Sequence, residues 1–88
     1  MKAYANMKTK EISIDTEAKK AIRFVLGYNT IHTLLDNPNA KDTIWRFLDE
    51  HRFDIFGSDF GLSKPDATSD EWDLYENLLT SATYQIMD

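Results

Sequence analysis

Residues 68–87 read TSDEWDLYENLLTSATYQIM, and they make this a helical protein. Thr68 and Glu71 have the spacing of a capping box. The Thr hydroxyl accepts from the free backbone N–H of residue 71, and the Glu carboxylate reaches back to the N–H of residue 68. Behind this start signal Tyr75, Leu78, Leu79, Ala82 and Ile86 recur every three or four positions. That period places all five on one face of a helix running from Ser69 to about Met87.

Working back from this helix, the stretch RFDIFGSDFGLSKPD (residues 52–66) holds Phe53, Ile55, Phe56, Phe60 and Leu62, interrupted by Gly57, Gly61 and Pro65. Glycine and proline at that density predict a long aromatic loop, packed down on the core rather than projecting into water. Before it, residues 40–51 follow helical spacing through Ala40, Ile44, Phe47 and Leu48, with Asn39 in position to cap. His51 falls on that same stripe and is expected to be partly tucked into the core. Residues 30–36 form a short helix with Ile31, Leu34 and Leu35, which must end before Pro38 because the residue preceding a proline is pushed out of the helical region. Residues 16–26 form another, with Asp15 as cap, Glu17 in the positive first turn, an apolar stripe of Ala18, Ala21, Ile22, Val25 and Leu26, and Gly27 placed to stop it. The segment EISID (11–15) alternates polar and apolar residues and reads as a short strand or extended arm.

These elements predict an all-α fold, a compact single-domain bundle of three to four helices with room for a short N-terminal strand. The expected organisation is a flexible N-terminal arm over residues 1–10 and one helical domain over 11–88. Met7 offers an alternative start, which would make residues 1–6 dispensable. Eighty-eight residues bury only about 60–65% of the surface of the unfolded chain, enough for one small core.

Charge is distributed unevenly. Residues 1–46 carry eight Lys/Arg against five Asp/Glu, whereas residues 47–88 carry two against ten, and the whole chain is at −5. Either the halves neutralise each other or each faces a different partner. A pI near 4.8 disfavours nucleic acid and anionic membrane as partners of the molecule as a whole. Residues 1–11 lack the apolar core of a signal peptide, and no run approaches the ~18 apolar residues of a membrane span. The absence of cysteine removes thiolate chemistry and suits a reducing cytoplasm.

Motifs for catalysis are missing. No phosphate-binding glycine loop, nucleophile elbow or Ser/His/Asp arrangement is visible. Asp49, Glu50, His51 and Asp54 lack the spacings of a zinc or calcium site, and His32 has only Asp36 within helical reach. The expectation is therefore no catalytic residue, no metal and no cofactor.

Two charged surfaces remain. Lys19, Lys20 and Arg23 lie within about 40–100° of one another on their helix, with Lys8 and Lys10 upstream, a candidate phosphate-binding face. Opposed to it is an acidic surface formed by Asp66, Asp70, Asp73 and Glu76, with Tyr84 on the polar side of the last helix and Trp72 at the margin. A helix N-terminus accounts for some of these carboxylates, each favoured by about 0.3–1 kcal/mol, but not for all. Carboxylates interspersed with aromatic rings can imitate a phosphate backbone. Phage antirestriction and anti-CRISPR proteins, small acidic inhibitors of host nucleases, share this character of composition. The expectation is a non-enzymatic inhibitor that docks this face on a protein partner with a basic surface, compatible with a homodimer.

The alternative is a small dimeric DNA-binding regulator or antitoxin, basic at its N-terminal part and partner-binding at its acidic part. The strand-then-helix order of residues 10–26, followed by a Gly-Tyr-Asn turn and another helix, resembles the ribbon-helix-helix regulators over about thirty residues. Those proteins pair two basic strands from a dimer in the major groove. EISID departs from that pattern with an acid at each end, and Pro38 cuts the second helix to about two turns. The family is not assigned.

Overall fold

The computed structural model of the chain describes residues 3–28, 30–57, 60 and 68–88. Its elements run β1 (Ala3–Asn6), β2 (Glu11–Ile14), α1 (Thr16–Val25), α2 (Ile31–Leu35), α3 (Ala40–Glu50), α4 (Arg52–Phe56) and α5 (Ser69–Met87). The fold is mostly helical, but it is not all-α.

The largest departure from expectation is at the N-terminus. Residues 3–6, expected in a flexible arm, pair antiparallel with β2 in the register Ala3–Ile14 to Asn6–Glu11. The turn between them is held by Asn6, whose Oδ1 accepts from the backbone N–H groups of Lys8 (2.8 Å) and Thr9 (3.1 Å). Such local bonding by a short amide side chain is what favours Asn in turns. Lys10 completes the turn in the left-handed region, φ 61°. A Met7 start would remove β1 altogether.

The second edge of β2 is closed by a side chain. Gln85 of α5 accepts from the N–H of Ile14 (3.1 Å) and donates to the carbonyl of Ile12 (2.9 Å), as a neighbouring strand would. With β1 on one edge and Gln85 on the other, β2 has no free edge to pair with a second protomer.

α5 is the axis of the fold, and its bounds and core face match the sequence reading. Its capping box is formed. Tyr75, Leu78, Leu79, Ala82 and Ile86 are buried against Ile14, Ala18, Ile22, Leu34, Ala40, Ile44 and Leu48. Thr83 is buried with them, and its hydroxyl donates to the Leu79 carbonyl at 2.8 Å, so the core holds no orphaned hydroxyl there.

α1 begins at Asp15, whose carboxylate accepts from the N–H of Ala18 (2.8 Å). It ends in a Schellman turn: Gly27 at φ 85° donates to the Phe24 carbonyl, and Tyr28 donates to the Arg23 carbonyl at 2.7 Å. Three expectations fail among the helices. Val25 and Leu35 are exposed rather than core, because Ile22 and Leu34 are the residues turned inward. Asn39 makes no capping bond, since its backbone (φ −96°, ψ 5°) is not in the extended form a cap requires. His51 is exposed, with its ring 4.6 Å from that of Phe47. The stretch read as loop contains α4, closed by Gly57 at φ 98°. Phe60 beyond it is buried, 5.1 Å from the Phe56 ring and 5.5 Å from that of Tyr75. Leu62 and Pro65 lie outside the described residues.

Candidate functional site

α3 and α5 lie side by side and run in opposite directions, as two contacts show. Near one end Lys41 of α3 meets Tyr84 of α5; near the other the Tyr75 hydroxyl donates to Asp49 at 2.5 Å. This pairing brings the acidic C-terminal end of α3, with Asp49 and Glu50, beside the acidic N-terminal end of α5. The acids of two distant segments thereby share one end of the molecule.

The helix dipole accounts for only part of this charge. Asp70 and Glu71 occupy the first turn of α5, where the free N–H groups favour them. Asp49 and Glu50 sit at the C-terminal end of α3, where the dipole opposes negative charge. Asp49 is compensated by the Tyr75 hydroxyl and by Arg52, whose guanidinium is 3.9 Å from the carboxylate and donates to the Asp49 carbonyl at 2.7 Å. Tyr75 is held protonated in return. Its burial, and then its bond to the carboxylate, push the phenol well above its ordinary value of 10.0. Glu50 has no such partner among the described residues.

Asp70, Asp73, Asn77 and Tyr84 are all exposed along the polar side of α5, as the helical period requires, with Glu76 beside them. Tyr84 is 52% exposed. Lys41 donates to its hydroxyl at 2.8 Å, while the ammonium is 4.8 Å from the ring centroid. The cation therefore engages both the hydroxyl and the ring of Tyr84, while about half of the residue stays exposed. This hydrogen bond holds the Lys41 ammonium above its ordinary pKa. Trp72 is half-buried, its ring 6.1 Å from Tyr75 and edge-on to it, so only part of it is offered to a partner. Asp66 lies outside the described residues.

Among the described residues, the ion pairs of the acidic half stay within that half. Arg52 pairs with Asp49 and His51 with Asp54 (3.8 Å), each three residues apart. Asp70, Asp73 and Glu76 pair with no cation among the described residues.

The basic face is less open than its sequence implies. Arg23 donates from Nη1 to the Ile86 carbonyl (3.2 Å), so it stabilises the C-terminal end of α5 from within the fold. Lys19 is half-buried and Lys20 exposed. Among the described residues no three His, Asp or Glu side chains gather around a point that could hold a metal ion, and no helix is long and apolar enough to cross a membrane. The Lys41–Tyr84 and Gln85–β2 contacts were not legible in the sequence, because each joins residues 43 or more positions apart. No family model, curated protein or solved structure matches the chain.

Proposed function

We propose that this chain is a non-enzymatic binding protein that docks the acidic face of α5 on a basic protein partner. The class of partner is a nucleic-acid-binding protein or nuclease, whose groove the carboxylates occupy in place of phosphates, as an antirestriction or anti-CRISPR inhibitor does. The observation that supports this reading is the unpaired state of Asp70, Asp73 and Glu76 among the described residues. A fold that used its acids for internal neutralisation would set them against Lys19, Lys20 or Lys41. Tyr84 adds a half-exposed ring on the same side, offering large contact area at low entropic cost. The cysteine-free composition suits a reducing, cytoplasmic setting for such an inhibitor.

Titration of the protein against a panel of basic nucleases, with and without competing duplex DNA, tests the proposal. Binding should weaken as salt rises and should be displaced by the duplex. Tyr84→Ala should weaken it by more than about 1 kcal/mol with an unchanged melting temperature, and Asp70→Lys/Asp73→Lys should abolish it. The regulator reading makes the opposite demand. A salt-sensitive complex of this protein with duplex DNA, lost in Lys19→Glu/Lys20→Glu, would overturn the inhibitor. Lys20 is preferred to Arg23 for that variant because Arg23 also holds the end of α5.

A further inference from the structure

The outward side of α1 leaves two large apolar side chains in water, Phe24 at 74% and Val25 at 66% exposure. Nothing in the proposed docking of α5 uses them. Soluble monomers seldom expose clustered apolar groups of this size without a partner for them.

The charges around this ridge are arranged in a particular order. On one flank an open cleft of 820 Å³ is lined by Lys20, Arg23, Phe24, Tyr28 and Leu34, with Asp88 also on its wall. On the other flank a smaller cleft of 190 Å³ is lined by Phe47, His51, Asp54 and Ile55. Ala21 and Val25 line both. The ridge of α1 thus separates a flank with two cations from a flank whose carboxylate, Asp54, is 87% exposed and 3.8 Å from His51. Lys20 has no ion-pair partner among the described residues, and Arg23 commits one of its guanidinium nitrogens to the Ile86 carbonyl.

We propose that this ridge is the interface of a homodimer, closed by a second copy of the chain related by a two-fold axis running along α1. A half-turn about that axis lays the basic flank of each copy on the acidic flank of the other. Lys20 then meets Asp54 of the partner subunit twice, while Phe24 and Val25 of both copies close over the centre. An axis running across α1 would instead set the two Lys20 flanks against each other. Because the same patch serves both copies, the contact is isologous and assembly stops at two. The basic-apolar-acidic order across the ridge is what selects a second copy rather than an unrelated protein.

Analytical ultracentrifugation of the full chain from about 10 μM to about 1 mM provides the test. A monomer–dimer equilibrium is expected. Phe24→Glu and Val25→Glu should each shift it to monomer, with an unchanged far-UV circular dichroism spectrum, because both side chains are already in water. Lys20→Asp and Asp54→Lys should each weaken the dimer at least about tenfold by setting like charges together. The double variant Lys20→Asp/Asp54→Lys should restore it. A protein that stays monomeric over the whole range overturns the proposal. So does a dimer that survives Phe24→Glu, or one that the double variant fails to restore.

Discussion

Leu79 and Tyr84 lie five positions apart on the same helix and carry opposite obligations. Leu79 is fully enclosed at the centre of the core, whereas the Tyr84 ring is half in water with its hydroxyl held by Lys41. Leu79→Ala removes buried methyl groups and leaves a void, so it should cost about 2–5 kcal/mol. Tyr84→Ala should move the thermal midpoint little. Thermal melts of the two variants side by side check this assignment of faces. Tyr75 makes a different demand, on pH. Its folded phenol is held above the value of 10.0 that it has in the unfolded chain. The stability it contributes is therefore fully present below pH 10 and is lost as the pH rises toward the folded value, since only the unfolded chain then releases the proton readily. Chemical denaturation along a pH series should show stability falling above pH 10, with a shallower fall in Tyr75→Phe.

Among the elements, β2 depends most on a partner remote in sequence. The two bonds from Gln85 span 71 and 73 positions and satisfy backbone groups on an edge that water only partly reaches. Gln85→Ala would leave the Ile14 N–H and the Ile12 carbonyl without their partner, at a cost of about 1–3 kcal/mol. Amide exchange at Ile14 should accelerate in that variant, while exchange at the β1 amides paired with β2 changes less. α5, by contrast, is specified locally. Its start, its length and its buried face follow from Thr68, Glu71 and the spacing of five apolar residues, all within twenty positions. α4 shows the opposite case, because five residues give too short a window for a periodic signal. Ile55 and Phe56 are partly buried against the core, and this packing offsets the cost of initiating so short a helix.

At the scale of the whole molecule the antiparallel fit of α3 and α5 concentrates like charge at one end. α5 has 19 residues and is about 28 Å long, so the acids at its start are well beyond a Debye length of about 8 Å from Lys41 and Arg23 near its end. With Asp49 already met by Arg52, the Glu50, Asp70, Asp73 and Glu76 carboxylates consequently repel one another more than the cations near the far end of α5 relieve them. Added sodium chloride should raise the thermal midpoint by a few degrees, roughly what 1 kcal/mol provides in a domain of this size. Asp73→Lys should raise it at low salt and reduce the further gain. A midpoint that falls with salt would mean that attraction, not repulsion, dominates this surface.

Periodicity and capping are local properties, and from them alone follow the existence and order of four helices, the cap at Asp15, the stop at Gly27 and the buried face of α5. The imbalance of charge between the halves was equally plain in the residues. What the residues could not disclose was which part of each apolar arc would be covered. On α1 the apolar arc from Ala18 to Val25 is only partly covered by α5, so Ile22 enters the core while Val25 and its neighbour Phe24 stay in water. Nor could they disclose that residues 3–6 would be a strand, because β1 has no stability without β2, and β2 needs Gln85 from the far end of the chain. The tertiary structure decided these points for one reason. A hydrogen bond or an apolar contact between residues dozens of positions apart leaves no periodic trace in sequence, and its free energy is realised only when both segments are held in place by the rest of the fold.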